Sequence, residues 1–283
     1  MIVSVLAMLL AGWIGLQADA YVCPMHPEIL SVRVGVCPKC GMALLRRSSD
    51  PAAPEYLMDV TPRWNPSGKA AELALRFRTP DGREPGAFQI VHEKELHLFV
   101  VSRDLQHFAH VHPTRRRAGE YSIRFDFPTP GDYMVFADFV PSGAAPQTLQ
   151  RLIVTPGYST GDLPKLVDSG LGDRVVGGLR FSVNAEEFRA ATPTLLTFTV
   201  VDDASGQPVR DLEQYLGAVG HLFFADEDFS DASHSHPLEN GQGPSIRFLT
   251  RFNTDGPHRF WLQVQRGGRV HTIGWTVNVP PPR

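Results

Sequence analysis

The chain has 283 residues, of which 20% are charged and 42% hydrophobic, with a formal net charge of −3. At ~100–200 residues per domain, that length accommodates one or two domains and a small addition. The balance leaves no basic footprint for nucleic acid; Arg115-Arg116-Arg117 is too short to alter this and reads as a solvated turn.

The first segment is an apolar run, residues 2–16, followed by Ala18-Asp19-Ala20, a small-x-small cleavage pattern. This pattern predicts a secretory signal peptide over residues 1–20. The run is short for a membrane span of ~20 residues. Since no Lys or Arg precedes it, a retained weak anchor is the alternative to cleavage. The expected location is therefore periplasmic or extracellular, membrane-tethered if the segment stays, with no span beyond it.

Residues 21–47 carry the densest chemistry. Tyr21-Val-Cys23-Pro-Met25-His26-Pro is followed, ten residues after His26, by Cys37-Pro-Lys-Cys40-Gly-Met42, and no other cysteine exists in the chain. Cys-x2-His and Cys-x2-Cys at this separation offer four soft or borderline ligands, the set preferred by tetrahedral zinc or a soft ion such as Cu(I). Three cysteines cannot all pair as disulfides, and in an oxidising compartment a metal would protect the thiolates. So short a segment has little core and should need its ion to fold. The motif resembles the short heavy-metal-binding domain found beside copper and heavy-metal efflux proteins. That resemblance implies Cys23, His26, Cys37 and Cys40 as ligands, with Met25 and Met42 as soft auxiliaries. A Ser/Pro/Ala-rich linker, residues 48–54, follows.

The remainder is a duplication. His221, His234, His236 and Pro237 each lie 124 residues after His97, His110, His112 and Pro113, and the intervening residues align without a gap. Short alternating apolar runs, such as Ser122-Ile-Arg-Phe-Asp-Phe, are separated by Gly, Pro, Asp and Asn. This predicts an all-β chain with two antiparallel β-sandwiches, residues 55–155 and 179–280, joined by a Gly-rich linker over 156–178. One or two helical turns are expected at most, near 164–168 and 211–216. In size and pattern the units resemble immunoglobulin-like and cupredoxin-like sandwiches, and a module of secreted bacterial proteins that often accompanies heavy-metal-binding domains. No Cys follows residue 40, so a thiolate–copper centre is excluded from them.

His110 and His112, like His234 and His236, sit at i and i+2, which on a strand places both on one face. A hairpin turned at Asp104-Leu105 would set His97 opposite His112, gathering three imidazoles; the same arithmetic gathers His221, His234 and His236. Such clusters suit Zn(II) or Cu(II), with His107 or Asp231 as a loop-borne fourth ligand. The competing reading is structural, with imidazoles bonded to turn backbone or buried in a core. His92, His258 and His271 are isolated and read as structural. The function expected is a non-enzymatic, exported heavy-metal-binding protein that captures, buffers or delivers copper, zinc or a similar ion, with an efflux or delivery protein as a further partner. The alternatives are an interaction protein with only a structural knuckle, and a His-site metalloenzyme. No nucleophile–base pair points to the last.

Overall fold

The computed structural model describes residues 20–22, 30–31, 45–47, 56–142, 144, 146–158 and 165–283. The chain divides into two compact units, residues 1–49 and 50–283. In the first, β1 (Ala20–Val22), β2 (Leu30–Ser31) and β3 (Leu45–Arg47) form an antiparallel sheet in the order β2-β1-β3. The signal run and Cys23, Met25, His26, Cys37, Cys40 and Met42 lie outside the described residues.

The second unit is built from antiparallel strands. In chain order these are β4 (Leu57–Trp64), β5 (Ala70–Arg78), β6 (Leu96–Ser102), β7 (Phe108–Val111), β8 (Thr114–Arg117), β9 (Glu120–Asp126), β10 (Asp132–Phe139) and β11 (Gln147–Val154). Then come β12 (Arg174–Val176), β13 (Leu179–Glu186), β14 (Pro193–Asp202), β15 (His221–Asp226), β16 (Ala232–Ser235), β17 (Ser245–Arg251), β18 (Gly256–Arg266) and β19 (Arg269–Val279). The first sandwich packs sheet β4-β5-β9-β8 on sheet β11-β10-β6-β7, and the second packs β12-β13-β14-β17 on β16-β15-β18-β19. Alternation does the sorting. Ala71, Leu73, Leu75 and Phe77 of β5 point inward, as do Ile246 and Phe248 of β17, while the residues between them face out or are half-buried.

No described residue is helical. The expected turns near 165–168 and 211–216 are extended or turn backbone instead, tied by bridges Glu213↔Gln265 and Tyr215↔Ala218. Strand β12 falls within the span expected to be linker and adds an edge to β13. Among the described residues no helix is long and apolar enough to cross a membrane.

Strands β6 and β15 break the alternation: every residue of both is buried. A strand covered on both faces reads as a nearly continuous apolar run, as Leu96-His-Leu-Phe-Val-Val and His221-Leu-Phe-Phe-Ala do. Leu98 and Val100 enter the core of the first sandwich. Phe99 and Val101 instead join Phe136, Phe223, Ala225, Phe229 and Trp261 in a third apolar cluster drawn from both sandwiches. The two repeats therefore pack against each other through the β6 and β15 sheets.

Repeat-equivalent residues meet at the centre of this junction. Phe99 stacks on Phe223, 124 positions later, with centroids 4.4 Å apart. The Arg103 guanidinium donates to the carbonyl oxygen of Glu227, also 124 positions later. Self-contact of this kind marks a two-fold axis, here a pseudo-axis within one chain. Truncating Phe223 to Ala should cost about 3–5 kcal/mol, as for other buried aromatics. Chemical denaturation of that variant measures it, and a loss under ~1 kcal/mol would mean the junction is loosely packed.

Candidate metal centre

The register of β6 against β7 pairs Leu98 with Val111 and Phe99 with His110. His97, Phe99, His110 and His112 therefore share the face turned to the other sandwich. In the second repeat β15 pairs Phe223 with His234, and the same logic places His221, Phe223, His234 and His236 on the facing surface. One ring nitrogen from each of His97, His110 and His112 lies within 4.8 Å of the others, and the same holds for His221, His234 and His236. The structure thus gathers both expected trios.

The trios adjoin each other. Centroids of His110 and His221 are 5.4 Å apart, His110 and His234 5.5 Å, and His97 and His234 5.7 Å. Within a trio the separations are 4.3–5.5 Å. Six imidazoles thus form one continuous cluster at the pseudo-axis.

Outer hydrogen bonds set the tautomers. His97 Nε2 lies 2.9 Å from the carbonyl oxygen of Val91, and His221 Nε2 2.8 Å from that of Tyr215. A carbonyl only accepts, so both nitrogens carry the proton. His110 Nδ1 donates to Gln263 Oε1 at 3.0 Å, and His234 Nδ1 to Asp138 Oδ2 at 2.9 Å. The inward nitrogens are then bare lone pairs. His97 Nδ1 and His110 Nε2 face each other at 3.0 Å, and His221 Nδ1 and His234 Nε2 at 3.2 Å. His112 Nε2 closes the first trio, 3.3 Å from His110 Nε2.

Facing lone pairs with no proton between them repel, and a buried acceptor left unpaired costs ~1–3 kcal/mol. A cation removes both penalties. Tetrahedral zinc with bonds of ~2.0–2.1 Å separates its nitrogens by ~3.3 Å, close to the observed spacings. The residues therefore fit a metal ion, with neutral rings and oriented lone pairs.

Burial keeps the rings neutral. It lowers His97, and takes His110, His221, His234 and His236 well below the usual imidazole range, with neighbouring imidazoles adding to the effect. His112 is lowered to about 3 and His92 to about 4, again chiefly by burial. Burial raises the Asp138 carboxyl, opposed by the nearby His97 and a hydrogen bond from Thr148.

The loop-borne fourth ligands do not materialise. Asp231 accepts hydrogen bonds from the Asn253 and Thr254 amides and from Asn253 Nδ2, which tie it to the loop before β18. Burial pushes its carboxyl up, but contacts with His258 and Asn253 outweigh it and hold the group below its usual value. His107 belongs to neither trio; its amide donates to Ser102 Oγ and shapes the hairpin turn. His258 is fully buried against Asp231 and the Gly256 carbonyl, and His271 lies on β19; neither belongs to a trio.

His92 is different from its structural reading. It is buried, its ring stacks on His236 at 3.7 Å, and Nδ1 donates to the carbonyl oxygen of Leu216. Its signal was positional: residue 92 lies 124 before Leu216, at the same turn of the other repeat.

The model of a heavy metal binding domain matches residues 20–45, and that of a domain of unknown function, DUF8832, matches residues 55–153 and again 174–281. A copper-transporting P-type ATPase of Rhizobium leguminosarum bv. viciae is 75% identical over 28 residues, 10% of this chain and 3% of that protein. Among solved structures, a two-domain fibronectin type III segment of chicken tenascin aligns at 10% identity over 78% of this chain and 98% of its own, with a TM-score of 0.21. The FN1–FN3 domains of chicken CNTN1 align at 13% identity over 87% and 76%, with a TM-score of 0.20.

With Cys23, Cys37 and Cys40 replaced by Ser to silence the knuckle, the chain should still retain metal after desalting. His110→Ala and His234→Ala should each remove one trio's share. Elemental analysis checks this, and retention of none by the Cys-free chain would make both trios structural.

Proposed function

The chain belongs to the DUF8832 family, with two copies of the domain behind a heavy-metal-binding domain, and from that premise we propose that it is an exported metal-handling protein. It captures copper, zinc or a similar ion and buffers it or passes it on. The observation that carries this reading is the duplicated trio of imidazoles, in each of which two rings are held with a lone pair inward by a hydrogen bond on the far side: His97 and His110 in one, His221 and His234 in the other. The knuckle supplies a second kind of site through Cys23, His26, Cys37 and Cys40, with Met25 and Met42 nearby in sequence. Thiolate and thioether donors favour Cu(I), while imidazoles accept Zn(II) or Cu(II). The chain therefore presents a soft site and a borderline one.

Local identity to a copper-transporting ATPase supports copper as cargo and an efflux protein as the delivery partner, although the chain spans only 3% of that relative. The apolar segment 2–16 and the Ala18-Asp19-Ala20 pattern support export to the periplasm or beyond. The surroundings of the trios support binding as their role: Phe99 stacks on His110, and the side chains nearest the central rings, Gln263 and Asp138, are each bonded to a ring nitrogen.

Two experiments test the reading. The full chain should withdraw Cu(I) or Zn(II) from a chromophoric chelator, and substituting both the knuckle cysteines and the trio histidines should abolish this. Full withdrawal by that multiple variant would contradict the assignment. The protein recovered from an expressing cell should begin at Tyr21 and fractionate outside the cytoplasm; a cytoplasmic protein with residues 1–20 intact would contradict export.

A further inference from the structure

We propose that the two trios are a graded pair, tight at His221, His234 and His236 and weaker at His97, His110 and His112, with the order set by residues that the first sandwich lends to the second. This rests on the reading of both trios as metal sites.

The pseudo-two-fold makes the two sites nearly identical, so the informative positions are those where symmetry fails. The first is the outer partner of the central imidazole. Each comes from the opposite sandwich: His110 is held by Gln263 and His234 by Asp138. These are counterpart positions, since Asp138 pairs with His97 across β6 and β10, and Gln263 pairs with His221 across β15 and β18. One site therefore has an amide where the other has a carboxylate. A carboxylate accepting the outer N–H makes the ring a stronger donor, and such partners change metal affinity by ~10–100-fold.

The second failure of symmetry is His92. Turns 91–94 and 215–218 are equivalent, each closed by an antiparallel bridge and each with two central residues at positive φ: His92 and Glu93 in one, Leu216 and Gly217 in the other. Their leading carbonyls, Val91 and Tyr215, hold His97 and His221. Both first positions sit at positive φ, so the two turns differ in side chain and not in backbone: the first repeat has a histidine where the second has a leucine. The histidine ring reaches across to stack on His236 of the second trio. With Nδ1–H given to Leu216, Nε2 is a lone pair, and it is buried without a partner, as is Nε2 of His236. Three nitrogens already converge in the second trio, and His92 is a further imidazole beside them. At the corresponding place near the first trio stands Leu216, which offers no donor. The second site thus has a carboxyl partner on its central ring and a further buried imidazole beside it, and the first has neither. Adjacent sites of unequal strength suit stepwise passage of an ion, with the weaker trio exchanging and the tighter one retaining.

The test is competitive titration of Zn(II) against a chromophoric chelator, using the full chain with Cys23, Cys37 and Cys40 replaced by Ser. Two binding phases are expected. His234→Ala should remove the tight phase and His110→Ala the weak one. Asp138→Asn should weaken the tight phase by ~10–100-fold and leave the weak one in place. His92→Leu, which installs the residue type of the equivalent turn, should weaken the tight phase alone. Gln263→Glu should strengthen the weak phase, and thermal unfolding of the metal-free variants verifies that each is folded. Loss of the tight phase in His110→Ala would overturn the proposal. So would a tight phase indifferent to both Asp138→Asn and His92→Leu, or two phases of equal strength. Absence of any bound Zn(II) would overturn it together with the metal reading beneath it, whereas two equal ions would leave that reading standing.

Discussion

Face-to-face packing of the two repeats is the constraint on which the rest depends. Sheets β11-β10-β6-β7 and β16-β15-β18-β19 bury their outer faces on each other around the stacked pair Phe99 and Phe223. Apolar burial at ~25 cal/mol per Å² supplies the drive, and Phe108 on Trp261, with centroids 4.8 Å apart, extends it. The same act removes water from six imidazoles on the two faces and adds His92 from a flanking turn. Desolvation makes the rings neutral, and neutral rings are what metals bind. Docking and ligand preparation are therefore one event, and neither sandwich completes its own site, because Gln263 orients a ring of the first and Asp138 a ring of the second.

Much of this was legible in the sequence. The constant offset of 124 gave the duplication, and His-x-His on a strand with a partner across a hairpin gave each trio. The run Leu96-His-Leu-Phe-Val-Val lacks polar alternation, but a single sequence does not say what covers the second face of such a strand. Contacts between the sandwiches escaped for that reason. His92 was missed because its importance is tertiary: a lone histidine in a turn gains meaning only when the turn overhangs the other repeat. Asp231 was misplaced because its proximity in sequence to His234 concealed a carboxylate already committed to the Asn253 and Thr254 amides. The helical turns expected near 211–216 failed because Tyr215 and Ala218 form a tight antiparallel bridge instead.

The heavy-metal-binding domain and the paired DUF8832 modules place two chemistries on one chain. Sulfur donors serve soft ions, and imidazoles serve borderline ones. Duplication explains how the histidine cluster arises. A single sandwich presents three histidines on a sheet face, and a second copy, packed symmetrically, encloses them and contributes three more.

Anomalous diffraction from crystals of the full chain grown with Zn(II) tests the central claim most directly. The account predicts two metal peaks between the sandwiches, one among His97, His110 and His112 and the other among His221, His234 and His236. A fully loaded protein with density only in the N-terminal domain, and none at either trio, would contradict it.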